Sequence, residues 1–165
     1  MTIRSTLGLA TVALALSACG QQQPPEAPAP EASQPAASAA PAAAAITRKA
    51  APAGAVAYLI EPADGATVSS PVRVAFGLRG AGVAPAGVDL PNTGHHHLLI
   101  DTRLASFDQP IPADAQHVHF GLGQTETTVE LAPGRHELQL VLGDNLHVPH
   151  DPPILSAVVT IEVRN

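Results

Sequence analysis

The sequence predicts an all-β fold, an immunoglobulin-like two-sheet sandwich of about seven strands that follows a signal peptide and a disordered spacer. Short stretches of alternating apolar and polar residues recur between turn signals rich in glycine, proline and aspartate. No segment shows long helical periodicity between good caps, and 17 prolines argue against long helices. The part from about residue 55 to 165 has roughly the 100-residue length typical of such a sandwich.

About seven segments are predicted as strands, in the order VAYLI, PVRVAFGL, HHHLLID, HVHFG, TETTVEL, HELQLVLGD and SAVVTIEV. The second segment alternates Val72, Val74, Phe76 and Leu78, which predicts one buried face. The stretch TVELAPGRHELQLVLGD resembles the strand, corner and strand by which many immunoglobulin-like domains cross between sheets. The usual corner tyrosine is absent, and we expect His136 to make a hydrogen bond back to the turn in its place.

The beginning of the chain has the layout of an exported lipoprotein. Residues 1–18 combine an early cation, Arg4, with an apolar run and small residues, which predicts a signal peptide that is too short to span a membrane. The tetrad ending at Cys19, the only cysteine, resembles the lipobox of bacterial lipoproteins. A lipidated Cys19 predicts anchoring in the bacterial cell envelope, facing the periplasm. Gly20 favours the outer over the inner membrane.

Residues 19–54 are predicted to be a lipidated cysteine followed by a disordered linker, and residues 55–165 the β-sandwich domain. The linker consists mainly of alanine, proline, glutamine, serine and glutamate, which bury too little to fold and favour extended conformations. The formal net charge of −6 argues against binding to nucleic acid or to anionic lipid. The predicted membrane contact is therefore the lipid anchor alone, and the sequence identifies no protein partner.

All eight histidines lie between His95 and His150. In a strand, side chains two residues apart share a face, so His95 and His97 point to one side and His96 to the other. Apolar residues follow on both faces of this strand, so the pattern leaves open which face is the core. His117 and His119 repeat the same spacing on another predicted strand.

Two such pairs on neighbouring strands predict a metal site, since three or four neutral imidazoles suit Zn²⁺ or Cu²⁺. A soft Cu(I) site of methionine or cysteine type is disfavoured, because the one methionine is Met1 and the one cysteine is predicted to be lipidated. The predicted ligands are histidines of three segments, namely His95, His97, His117, His119, His147 and His150. The residues predicted to orient their rings are His96, Asp101 and Asp144.

Alternatives to the metal site remain open on these residues. The histidines can brace loops through hydrogen bonds without an ion, as in a structural or interaction module. His147 and His150, in the proline-rich LHVPHDPP, can close over the site, line a cleft for an anionic or polyhydroxylated ligand, or form a pH-sensitive patch.

Catalysis finds little support, and the expectation is a protein that is not an enzyme. GxSxG, HExxH and phosphate-cradling glycine motifs are absent from the sequence. A metal-assisted hydrolase would need an open coordination position and a general base such as Asp101 or Glu126.

The chain resembles a bacterial family of secreted or lipid-anchored, immunoglobulin-like proteins known as domain of unknown function 4399. The segments that carry the resemblance are PADGATVSSPVRVAFGLRGAGVAPAG, PNTGHHHLLID, DQPIPADAQHVHFGLGQTETTVELAPGRHELQLVLGD and HVPHDPP. The resemblance implies the fold and export, suggests that the histidine segments are the family's hallmark, and implies no activity.

Overall fold

The computed structural model describes residues 46–165, and within that range it contains nine strands and no helix. The strands, in chain order, are β1 (Val56–Glu61), β2 (Thr67–Ser69), β3 (Val72–Arg79), β4 (Gly82–Val83), β5 (Thr93–Ile100), β6 (His117–His119), β7 (Glu126–Val129), β8 (Gly134–Gly143) and β9 (Val159–Arg164). The predicted signal peptide, Cys19 and residues 19–45 of the predicted linker lie outside the described residues. Among residues 46–165, no helix is long and apolar enough to cross a membrane.

The strands form two sheets, consistent with the predicted sandwich. One sheet has three strands in the order β1-β3-β7. The other has six, in the order β2-β9-β8-β5-β4, with β6 paired to the same edge of β5 as β4. The all-β, two-sheet prediction is confirmed. The two strands beyond the predicted seven are β2 and β4, of three and two residues, which are too short to show a periodic pattern.

The core lies between the sheets and follows the predicted alternation. Val72, Val74 and Phe76 of β3 are at most 2% exposed, and Arg73, between the two valines, is exposed. From the second sheet, β8 contributes a matching series of fully buried leucines, Leu138, Leu140 and Leu142. Burial of one such side chain contributes about 1.5–3 kcal/mol, so these two strands supply much of the stabilisation of the sandwich.

Strand β5 is buried on both faces, which explains its unbroken apolar run. Leu98 and Ile100 belong to the main core. Leu99, on the opposite face, packs with Ile111 and Val141 in a second apolar cluster. The face that carries His95, His97 and Leu99 is therefore covered by the loops after β5 and β8 rather than by the other sheet.

The corner before β8 is held by His136, as predicted. Its Nε2 lies 2.9 Å from the Ala132 carbonyl oxygen, which precedes the Pro133–Gly134 turn. Its Nδ1 lies 2.6 Å from a carboxylate oxygen of Asp101. Both partners are acceptors, so these surroundings favour the protonated imidazolium, in which both ring nitrogens donate.

Residues 46–54, which the sequence assigned to the linker, make defined contacts with the sandwich. Ala51 packs against the main core, and Ala50 forms a parallel bridge with Asp151. The described chain thus begins beside the loop that follows β8.

Candidate metal site

Four histidines come together on the loop-covered face of β5. His95 and His97 lie on β5, and His119 lies directly opposite His97 on the antiparallel strand β6. His147 comes from the loop after β8. The last residue of β8, Gly143, pairs with His95, so this loop begins beside the histidines of β5. We call these four residues the four-histidine group.

The ring nitrogens of the four-histidine group converge on one point. Each residue offers one nitrogen, and the four nitrogens lie within 4.8 Å of one another. The Nε2 atom of His95 is 3.0 Å from Nδ1 of His147 and 3.1 Å from Nε2 of His97. Four tetrahedral bonds of ~2.0 Å place neighbouring nitrogens about 3.3 Å apart. Small side-chain adjustments are therefore enough to hold an ion.

Hydrogen bonds between these rings do not satisfy all of their nitrogen atoms. An imidazole nitrogen offers one in-plane site, either an N–H or a lone pair. The Nε2 atom of His95 faces two nitrogens at hydrogen-bond distance, so one of the two contacts lacks good geometry. In addition, the buried Nε2 of His119 has no hydrogen-bond partner among residues 46–165. An ion at the centre would accept all of these lone pairs at once.

Burial favours the neutral form of the three rings on β5 and β6, and neutral imidazole is the form that binds a metal. His95 and His97 are at most 1% exposed. Burial, followed by the charges of His147 and His119, lowers the pKa of His95 to about 4. Burial and the neighbouring imidazoles lower the pKa of His97 to about 2. The pKa of His119 is also lowered, first by burial and then by His147. At neutral pH these three rings are therefore uncharged and do not repel a metal cation.

Asp144 supports the loop that carries His147. Its side chain is almost fully buried, and one carboxylate oxygen accepts hydrogen bonds from the backbone N–H groups of Leu146 and Val148, at 2.8 and 2.9 Å. The N–H of His147 donates to the Asp144 carbonyl at 3.0 Å. Asp144 therefore acts on the site by shaping this loop. Its negative charge tends to raise the pKa of His95, but this effect is smaller than the lowering by burial.

Glycines make room for the close packing, a contribution that the sequence reasoning missed. A Cβ atom at Gly121 would lie 2.4 Å from the ring of His119. At Gly143 it would lie 3.0 Å from Nε2 of His97, and at Gly94 only 2.3 Å from the Gly143 carbonyl oxygen. The available signal was a glycine beside the histidine segments, in GHHH and HFG. Larger residues at these positions would push the ligands apart.

Two predicted ligands lie outside the four-histidine group. His117 is next but one to His119, yet its Nδ1 lies 2.8 Å from a carboxylate oxygen of Asp114. The same oxygen accepts the backbone N–H groups of Gln116 and His117, so a local turn holds this ring. His150 is buried and contributes no nitrogen to the convergent set, and burial lowers its pKa.

Two of the residues predicted to orient the rings, His96 and Asp101, make contacts elsewhere in the fold. His96 points into the sandwich core, where its ring centroid is 5.0 Å from that of Phe76. Burial lowers its pKa to about 4, and neither ring nitrogen has a hydrogen-bond partner among the described residues. Asp101 is paired with His136 at the corner. Glu126, considered as a general base, pairs with Arg73 at 2.6 Å in the three-stranded sheet.

Comparison with known proteins identifies a family without assigning a function. The family model described as Domain of unknown function (DUF4399) matches residues 74–164, which is more than half of the chain. These residues include all four members of the four-histidine group. Comparisons with curated proteins and with solved structures give no match.

Proposed function

Because this chain belongs to the DUF4399 family, whose description assigns no activity, we propose a function from the geometry of the site. The protein is a non-enzymatic lipoprotein of the bacterial cell envelope that binds one copper or zinc ion through His95, His97, His119 and His147. The observation that carries this proposal is the convergence of four ring nitrogens within 4.8 Å.

The donor set indicates the class of ion. Imidazole nitrogen suits Zn²⁺ and Cu²⁺, and intrinsic affinity favours Cu²⁺ over Zn²⁺ at a site of given ligands. Carboxylates, which Mg²⁺ and Ca²⁺ prefer, do not belong to the convergent set. The geometry of the four nitrogens decides which of the two ions binds, because Zn²⁺ favours a tetrahedral and Cu²⁺ a more planar arrangement of ligands.

The same donor set supports binding rather than catalysis. Four protein ligands fill a tetrahedral coordination sphere, whereas catalytic zinc sites keep one position for water or substrate. One oxygen of the nearby Asp144 carboxylate accepts two backbone N–H groups, which supports a role of this residue in shaping the loop. Export and lipid anchoring at Cys19 belong to the proposal on the strength of the sequence pattern alone.

The competing explanation is a hydrogen-bonded histidine network that braces the loops without metal. It requires the contacts of His95 with His147 and His97, which lie at hydrogen-bond distance, although one nitrogen cannot serve both with good geometry. The two explanations differ in what an ion does to the protein, because only a metal site gains stability from Zn²⁺ or Cu²⁺.

Titration of the full chain with Zn²⁺ and Cu²⁺ tests the proposal. All variants carry Cys19→Ser, so that the thiol, itself a metal ligand, contributes nothing. We expect one ion per chain with a dissociation constant of about 1 μM or lower. His119→Ala should weaken binding by more than the roughly 10–100-fold typical of losing a residue that only orients a ligand.

His117→Ala is the matched control, because it removes a histidine from the same strand and the same face. It should bind as tightly as the parent protein. Equal loss in both variants, or the absence of binding in the parent, contradicts the proposed site.

A further inference from the structure

His147 differs from the other three members of the four-histidine group in its dependence on a loop. The others lie on strands β5 and β6, held by ladder hydrogen bonds. The backbone of His147 has a φ of 66°, in the left-handed region that few non-glycine residues adopt. The position of this ligand therefore depends on what holds residues 144–151.

A short segment that precedes β1, residues 48–51, contacts this loop, and we call it the strap. The N–H of Ala51 donates to the Asp151 carbonyl at 2.8 Å, and the N–H of Asp151 donates to the Lys49 carbonyl at 2.8 Å. These bonds fix the end of the loop after His147. They tie together two parts of the chain that are about 100 positions apart in the sequence.

Arg48 adds charged donors at the same end of the loop. Its Nε donates to the Pro149 carbonyl at 3.0 Å, and a second guanidinium nitrogen donates to the His150 carbonyl. A carboxylate oxygen of Asp108 and one of Asp151 each lie 3.5 Å from the guanidinium. The Arg48 side chain is only 15% exposed, so water competes weakly for these bonds.

Lys49 holds the other end of the loop, before His147. Its Nζ donates to the side-chain carbonyl of Asn145 at 2.6 Å and pairs with Asp89. The strap thus contacts the loop on both sides of His147, at Asn145 and at residues 149–151.

We propose that Arg48 and Lys49 are positioning residues of the metal site, which hold His147 facing the three strand ligands. This inference rests on the proposed metal binding. The coupling is reciprocal, so an ion bound by His147 stabilises the strap against opening by the same factor by which the strap improves metal affinity.

A double-mutant cycle tests the inference on the full chain with Cys19→Ser. The proteins are the parent, Arg48→Ala with Lys49→Ala, His147→Ala, and the combination of all three. The strap variant should bind Zn²⁺ about 10–100-fold more weakly than the parent, as when partners that orient metal ligands are lost. In the His147→Ala background the same strap substitutions should change affinity by less than about two-fold, because the ligand they position is gone.

Two further measurements separate positioning from general destabilisation. The Co²⁺ absorption spectrum of the strap variant should shift towards that of His147→Ala. Arg73→Ala removes the ion pairs with Glu61 and Glu126 in the other sheet and should leave Zn²⁺ affinity unchanged.

The reciprocal effect needs no substitution in the strap. Trypsin cleaves after Arg48 and Lys49, and cleavage there follows local opening. Saturating Zn²⁺ should slow this cleavage in the parent and leave it unchanged in His147→Ala.

The outcomes are distinguishable. A parent protein that binds no ion overturns the proposed function, and this inference with it. Zn²⁺ binding that is unaffected by the strap substitutions, or weakened equally with and without His147, overturns only the inference.

Discussion

Two regions of the six-stranded sheet hold imidazoles by different means, the four-histidine group beside β5 and His136 at the start of β8. His136 has an acceptor at each ring nitrogen, the carboxylate of Asp101 and the carbonyl of Ala132. The rings of the four-histidine group face mainly one another, and Nδ1 of His95 and of His97 has no partner among the described residues. A histidine whose partners are acceptors favours its cationic form and braces the fold, whereas buried histidines that face one another favour the neutral form, which binds a metal.

The largest expected effect is opposite pH dependence in the two regions. Burial lowers the pKa of His95 and His96 to about 4 and of His97 to about 2, from 6.5. Between pH 6.5 and about 4 the unfolded chain therefore binds protons that the folded chain does not. The free energy of unfolding should fall as the pH falls through this window, by on the order of 1 kcal/mol per pH unit for each such histidine at most.

His136 affects the free energy of unfolding in the opposite direction, since it stabilises the fold more at acid than at alkaline pH. Burial opposes its protonation, but the hydrogen bonds to Asp101 and Ala132 outweigh burial and raise its pKa. Its contribution is complete below pH 6.5 and is lost as the pH rises through the raised pKa. Urea unfolding of the metal-free protein between pH 4 and 8 measures both effects. In His97→Leu the free energy of unfolding should fall less steeply towards acid pH than in the parent. In His136→Ala it should rise more steeply towards alkaline pH. Identical profiles in the parent and His97→Leu would contradict the buried, neutral state of His97.

Added metal should stabilise only through the four-histidine group. Zn²⁺ at about 100 times its dissociation constant should raise the free energy of unfolding by about 2.7 kcal/mol at neutral pH. The increase should be much smaller in His97→Ala and persist in His136→Ala. Thermal melts with and without Zn²⁺ measure it, and an increase in His97→Ala as large as that in the parent places the ion elsewhere.

Removal of the corner histidine should destabilise the fold without touching the site. His136→Ala deletes two hydrogen bonds, one of them to a carboxylate, and should cost about 1–3 kcal/mol at pH 6. Asp101 keeps its bond from the Glu137 N–H, which limits the loss. Urea unfolding gives the magnitude, and an unchanged Zn²⁺ affinity is the matching control. A variant as stable as the parent would show that the corner bonds contribute nothing net.

The smallest expected effect concerns His96, on the core face of β5. Its ring packs against Phe76, and its nitrogens have no partner among the described residues, so they lose solvation without compensation. His96→Leu should leave stability within about 1 kcal/mol of the parent or raise it, since an apolar residue of similar shape removes that penalty. Zn²⁺ affinity should stay the same, and weakened binding would show that this face also contributes to the site.

The sequence predicted the architecture better than the composition of the site. Alternation in β3 and β8 identified the core, because one face of each strand must be apolar. The same parity separated His96 from His95 and His97. Strands β2 and β4 were missed because two or three residues carry no period.

The choice between neighbouring histidines was beyond pattern reasoning. His117 and His119 share a face, and only the local turn at Asp114 withdraws His117 from the convergent set. His147 enters from a loop whose path depends on Asp144 and the distant strap, a tertiary arrangement without a periodic signature. Asp114, three residues before His117, was the one sequence signal that pointed to such a turn.

X-ray absorption spectroscopy of the zinc-loaded full chain with Cys19→Ser counts the atoms bound to the ion and so decides whether the four-histidine group holds it. We expect four imidazole nitrogens at about 2.0–2.1 Å from Zn²⁺, and three after His147→Ala. A shell dominated by oxygen, or a nitrogen count that His147→Ala does not lower, would contradict a site built from these four histidines.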